Sequence, residues 1–199
     1  CFIFSSHSRS GLKRIILGSV TERLMRTLTC PLLVVNSPEQ KLVSAAGQVI
    51  KIEKILVGCD FSPDAGQALK HALSLAQEFQ AELHLAYVIE PPTQTNLHKE
   101  VTTAAEDIHQ EYRDLLTRKL KEMVPAEARY WCTPQTGLLE GQPYEEIVTY
   151  AESKDIDMIV LGVRGHSMVK TLFLGSTTDR VVRRSPCPVL SVSLKVQNE

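Results

Sequence analysis

The stretch IDMIVLGVRGHSMVKTLFLGSTTDRVVRRSPCPVLSV, residues 156–192, decides the fold. IDMIVLG (156–162) is a short, almost continuous apolar run, the pattern of a strand buried on both faces. GSTTDRVVRRS (175–185) reads as a helix and PVLSVSL (188–194) as another strand. Strand, crossover helix and strand make the unit from which parallel sheets are built.

The same alternation continues upstream. KILVGC (54–59) is a buried strand that ends at Asp60. Ser62 is a helix N-cap and Pro63 suits the first helical position, so a helix is expected through Phe79. AELHLAYVI (81–89) is a second strand, and residues 101–123 form a long amphipathic helix. ARYWCTPQ (128–135) is the expected third strand, with Tyr130 and Trp131 as packing residues, and 141–155 is a helix with Pro143 near its start. The sum is an α/β fold: a doubly wound open sheet of five mainly parallel strands with helices on both faces. Ligands of such sheets bind at the carboxyl ends of the strands, here the loops after Cys59, Ile89 and Leu161.

Shifted by 157 residues, residues 1–35 fall on 158–192 without a gap. Leu17-Gly18-Ser19 lands on Leu174-Gly175-Ser176, and Thr21, Arg23 and Arg26 land on Thr178, Arg180 and Arg183. Cys30-Pro31 lands on Cys187-Pro188. A period this long implies tandem whole domains rather than a solenoid. The expected organisation is the C-terminal part of a first domain over 1–36, a linker over 37–52 and a full second domain over 53–195. The chain opens at Cys1 in what reads as mid-strand, which suggests that the first domain has more sequence in front of it.

Composition narrows the function. A net charge of −1 provides no overall field towards nucleic acid or an anionic membrane. The five cysteines contain no CxxC pair, which points to reduced thiols in a cytoplasmic protein rather than a metal site or disulfide framework. No apolar run approaches the roughly 20 residues that span a bilayer.

Glycine spacing suggests the chemistry. Gly162 is placed for a sharp turn with positive φ, and Gly165 for close approach of a ligand to the backbone. Gly175-Ser176-Thr177 opens a helix, whose free N–H groups and partial positive charge favour an anion. Taken singly, Gly-x-x-Gly is an ordinary loop and Ser176-x-x-Asp179 an ordinary helix cap. Asp60 could accept from a ribose hydroxyl or simply cap the turn at Ser62. Arg164 and His166 are either phosphate contacts or solvated loop residues, with solvation favoured, and Arg180, Arg183 and Arg184 read as a solvent face.

Gly162, Gly165, Gly175 and Ser176 stand in the spacing G-x2-G-x9-G-(S/T), and with VGCDFSPDA, HLAYVIEP, GQPYEEIV and SPCPVLSV the chain resembles the universal stress protein family. The resemblance covers 53–195 and, through the repeat, 1–35. It implies an adenine nucleotide α-hydrolase-like fold and bound ATP, ADP or AMP, with Mg2+ carried by phosphate oxygens and no protein metal ligand. It implies that Asp60 meets the adenine or ribose side, that Val88 lines the adenine pocket, and that Gly162 and Gly165 pass the ribose and phosphates. Gly175, Ser176 and Thr177 would hold the phosphates.

The first copy carries Ser5 and Ser8 where the second has Gly162 and Gly165, so its site is expected to be silent. The leading expectation is a nucleotide-responsive binding module with no catalytic residue. There is no G-x4-G-K-(S/T) loop, and CDFSPDA replaces the serine-glycine loop of ATP pyrophosphatases. The alternatives are a nucleotide-free pairing module and a slow ATPase. Pairing is expected through 30–35 and 187–192, within one chain as a pseudo-dimer or between chains as a homodimer.

Overall fold

The structure, a computed structural model, describes residues 2–5, 19–28, 30–35, 51–91, 103–164 and 175–194; of 2–5, 19–20, 26 and 103–107 it describes the backbone only. In chain order the elements are β1 (Phe2–Ser5), α1 (Ser19–Thr27), β2 (Leu32–Val35), β3 (Lys54–Gly58), α2 (Pro63–Phe79), β4 (Glu82–Ile89) and α3 (Thr103–Met123). A short 3-10 helix (Ala126–Tyr130) leads to β5 (Gln135–Glu140), α4 (Pro143–Ser153), β6 (Met158–Gly162), α5 (Ser176–Arg184) and β7 (Val189–Val192).

The seven strands among the described residues share one sheet, in the order β1-β2-β7-β6-β3-β4-β5. β3 through β7 are mutually parallel. The winding starts at β3, runs outward to β5, and returns to β6 and β7 on the other side of β3. Helices cover both faces. α2 and α3 bury Ala68, Leu69, Ala72 and Leu120 against Ile55, Val57, Leu83 and Leu85. α4 and α5 bury Ile147, Ala151, Val181 and Val182 against Leu56, Ile159, Leu161 and Val189. Successive residues of β3 and β6 therefore enter opposite cores, which is why both runs are apolar throughout.

The start of α2 follows its sequence cues. The Ser62 hydroxyl accepts from the Ala65 N–H at 3.1 Å, Pro63 takes the first turn, and Gln80 closes the helix in the left-handed region at φ 54°. Its sheet-facing stripe is mostly alanine, which lets the helix lie close to the strands.

The repeat is a repeat of structure. Shifted by 157 residues, α1 and β2 coincide residue for residue with α5 and β7, and β1 falls within β6. β2 pairs antiparallel with β7, Leu32 with Ser191, Leu33 with Leu190 and Val34 with Val189. Leu33 and Leu190 occupy the same position in the two copies, so a local two-fold axis passes between them. The expected pairing of 30–35 with 187–192 thus takes place inside one chain. Met25, Leu32 and Val34 pack with Val181, Val182 and Val189 in one core, and the Ser191 hydroxyl donates to the Leu32 carbonyl at 3.1 Å.

Two expectations are corrected. The third strand of the second copy is Gln135–Glu140, not 128–135; residues 126–130 form a 3-10 turn instead. β5 is an edge strand, half-exposed along its length, and lacks the apolar signal of a buried strand. It contains Gly137 because a Cβ there would stand 3.1 Å from the Tyr150 ring. Tyr130 is 92% exposed and Trp131 43%, so neither is a packing residue.

Candidate functional site at the carboxyl rim of the sheet

β3 and β6 are neighbours whose crossover connections leave in opposite directions, the switch point at whose carboxyl ends ligands of such sheets bind. On the β3 side, Asp60 Oδ1 accepts from the Ser62 N–H at 2.9 Å, closing a tight turn. The residue inside that turn, Phe61, has φ 61°, an unfavourable conformation for a bulky side chain. Its ring stacks on Tyr87 with centroids 5.0 Å apart, which helps hold the strained turn. Asp60 therefore caps its local turn, at the carboxyl end of β3.

On the β6 side, α5 begins at Gly175 with backbone angles φ −59° and ψ 136° and no side chain with which to cap. The Gly175 N–H donates to the Val163 carbonyl at 2.8 Å, and the Thr178 hydroxyl donates to the Gly162 carbonyl at 2.7 Å. These bonds tie the first turn of α5 to the end of β6. Ser176 and Thr177 follow in that turn, at the positive end of the helix dipole. The expected Ser176–Asp179 cap is not formed; the Asp179 carboxylate instead binds Arg183 at 2.9 Å.

Gly162 does not have the expected positive φ; glycine is needed there for another reason. A Cβ on it would stand 2.8 Å from the Asp64 carbonyl carbon and 2.9 Å from the Ala65 nitrogen. The end of β6 and the first turn of α2 touch backbone to backbone, and only glycine allows it.

Arg164 is also corrected. It is not a solvated loop residue: its side chain is 27% exposed and paired with the buried Asp64. Its Nε donates to Asp64 Oδ2 at 3.0 Å, its Nη2 to Asp64 Oδ1 at 3.4 Å and to the Leu194 carbonyl at 3.0 Å, and its backbone N–H to Asp64 Oδ2 at 3.1 Å. Asp64 is only 4% exposed. Sequence reading missed Asp64, whose partner lies 100 residues away; the one local hint is an acidic residue in a helix's first turn. Arg180 and Arg184 each lie 4.9 Å over the Tyr144 ring, so they pack α5 against α4 rather than form a bare solvent face. Gly165 and His166, like Ser8 and Gly18 of the first copy, lie outside the described residues.

Val88 is half-buried near the end of β4, in the wall of a groove of about 660 Å³ that Tyr87, Glu90, Tyr112 and Glu140 also line. Asp60, Val88, Gly162, Gly175, Ser176 and Thr177 thus stand on one rim, at or just beyond the carboxyl ends of β3, β4 and β6. The thiol adjoining the site carries no nucleophile: burial pushes Cys59 up to about 12. Among the described residues no cluster of His, Cys, Asp or Glu could hold a metal ion, and no helix is long and apolar enough to cross a membrane.

The family model for universal stress proteins matches residues 3–36 and 51–193, the two copies and little else. The chain belongs to the universal stress protein family. It is 36% identical over 143 residues to universal stress protein MJ0531 of Methanocaldococcus jannaschii, covering 70% of this chain and 81% of that one. It is 33% identical over 144 residues to universal stress protein YxiE of Bacillus subtilis, covering 70% and 97%. The solved structure of MJ0577, another universal stress protein of M. jannaschii, is 30% identical, with a TM-score of 0.58 over 75% of this chain and all of that one. PA1789 of Pseudomonas aeruginosa, at 20% identity, shares the fold over 96% of this chain and 62% of its own length, with a TM-score of 0.70. In this member of the family the match falls into two pieces, and the unmatched interval, 37–50, separates the two copies.

Proposed function

We propose that this universal stress protein is an adenine-nucleotide-binding module of the stress response. In this reading the chain has a first-domain portion over 1–36, a linker over 37–52 and a nucleotide-holding domain over 53–195. The observation that carries it is the meeting, at the switch point of the sheet, of the Asp60–Ser62 turn and an α5 start whose N-cap is glycine. Such a helix end fits a phosphate group, since first-turn N–H groups and the dipole both favour an anion. The G-x2-G-x9-G-(S/T) spacing from Gly162 to Ser176 supports the same reading.

In it, Ser176 and Thr177 donate to phosphate oxygens, Gly165 lets the phosphates approach the backbone, and Val88 and Asp60 face the nucleoside. Bound nucleotide would bring Mg2+ on its phosphates, which offsets the charge. The fit is that of ATP, ADP or AMP to a binding site in a cytoplasmic regulator rather than to a hydrolase. The antiparallel β2–β7 junction favours a second role beside it, a sheet extended through paired copies.

Thermal shift with ATP and Mg2+ tests the proposal. Saturable stabilisation in the parent chain and its loss in Gly165→Val are expected. An unchanged melting temperature in millimolar ATP would refute it, and steady release of ADP well above background would move the reading to an ATPase.

A further inference from the structure

The pair of the buried Asp64 with Arg164 joins the two edges of the site. Starting at β3, Asp60 Oδ1 accepts from the Ser62 N–H, and the Ser62 hydroxyl donates to the Arg164 carbonyl at 3.4 Å. Arg164 then reaches back to Asp64 with Nε, Nη2 and its backbone N–H. One residue earlier, the Val163 carbonyl accepts from the Gly175 N–H, and one before that the Gly162 carbonyl accepts from Thr178. Asp64 thus fixes the peptide segment that holds the first turn of α5, while Arg164 Nη2 anchors the same segment to Ser193 Oγ at 3.3 Å and to the Leu194 carbonyl beyond β7.

A bidentate pair of this kind fixes orientation as well as distance, because the planar guanidinium fork fits a carboxylate in few geometries. Burial of Asp64 strengthens the constraint, since water scarcely competes for its carboxylate, while the Arg164 side chain is 27% exposed.

We propose that Asp64 and Arg164 are positioning residues for the phosphate end of the nucleotide site: they set where the start of α5 stands relative to the Asp60–Ser62 turn. The inference rests on the proposed nucleotide reading and adds two residues to it. The pair acts on the α5 edge. The nucleoside edge is held separately, Val88 by the β4 ladder and Asp60 by its own turn. Loss of the pair should therefore weaken phosphate binding and leave nucleoside binding in place.

The test is calorimetric titration of the full chain with ATP-Mg2+ and with adenosine. Three variants are compared with the parent: Asp64→Asn, Arg164→Lys, and the apolar pair Asp64→Leu with Arg164→Met. The two single variants should bind ATP about ten- to a hundredfold more weakly, the span of one charged hydrogen bond, while adenosine affinity stays within about twofold. The apolar pair removes both charges together, which commonly restores stability. It should recover its melting temperature and still bind ATP weakly. ATP affinity that recovers with melting temperature, or ATP and adenosine affinities that fall together, would show a merely structural role and overturn the inference. A parent chain that binds neither ligand overturns the nucleotide reading itself. A parent that binds ATP while Asp64→Asn binds it equally well overturns only the positioning role.

Discussion

At the end of β6 stands Gly162, and at the matching place in β1 stands Ser5. The two copies keep the same strand–helix–strand frame yet differ at the points that would make a site. The Thr178 hydroxyl ties α5 to the Gly162 carbonyl, whereas the matching Thr21 hydroxyl is fully buried and has no partner among the described residues. Asp179 and its counterpart Glu22 both face Arg183, at 2.9 and 3.9 Å. What the copies share is the apparatus of pairing: α1 beside α5, and β2 beside β7. What only the second is seen to have is the tie between helix and strand that fixes a helix end at the rim. The sheet junction and the candidate site are separable uses of one repeated unit.

The largest effect is expected at the junction. Leu32→Ala removes a side chain that is 1% exposed in the core shared by both copies, and should cost about 2–5 kcal/mol in urea denaturation. A single cooperative transition at a lower midpoint would show that the copies fold as one unit. Two separated transitions would break the comparison by making the first copy independent.

Gly162→Ser gives the second copy the residue of the first. The added Cβ meets backbone of α2 at 2.8 Å, so a destabilisation of about 1–3 kcal/mol is expected, with loss of ATP-induced stabilisation. Ser5→Gly should not create a second ATP site. A Gly162→Ser chain that melts and binds like the parent would remove glycine as the feature that separates the copies.

The threonine pair gives a smaller contrast of opposite sign. Thr178→Val deletes a bond to the Gly162 carbonyl and should cost about 1 kcal/mol, while Thr21→Val removes a buried hydroxyl without a partner and should be neutral or stabilising by about 1 kcal/mol. Equal costs would mean that Thr21 is bonded as Thr178 is.

The smallest effect lies outside the repeated segment and serves as a control. His84 on β4 is buried, with Nδ1 3.0 Å from the Tyr150 hydroxyl, and burial pushes its pKa below 6.5; Glu82 opposes this, while Lys54 and Lys154 add to it. The unfolded chain takes up a proton near 6.5 and the folded chain only at lower pH. Stability should therefore be level above pH 6.5 and fall as the pH drops below it. His84→Gln should flatten this slope without changing ATP binding. A variant whose slope matches that of the parent would assign the pH dependence to other groups.

Much of the fold was legible because strand and helix periods were unmixed. IDMIVL and KILV are apolar on both faces, and the gapless repeat fixed β1, α1 and β2 through their better-marked counterparts. β5 was misplaced because an edge strand with a glycine under Tyr150 carries no such signal. At the rim, Asp60 and the Gly-Ser-Thr helix start were legible from local spacing. The Asp64–Arg164 pair was not, because its two halves meet only once β6 lies against α2. The positive φ expected at Gly162 is absent: its missing Cβ makes room for a helix, and sequence gives no view of what packs there.

Calorimetric titration of the full chain with ATP and Mg2+ tests the central claim most directly. The account predicts one site per chain, lost in Gly162→Ser and retained when Ser5 is changed. Two equivalent sites per chain, or a single site that survives Gly162→Ser, would contradict it.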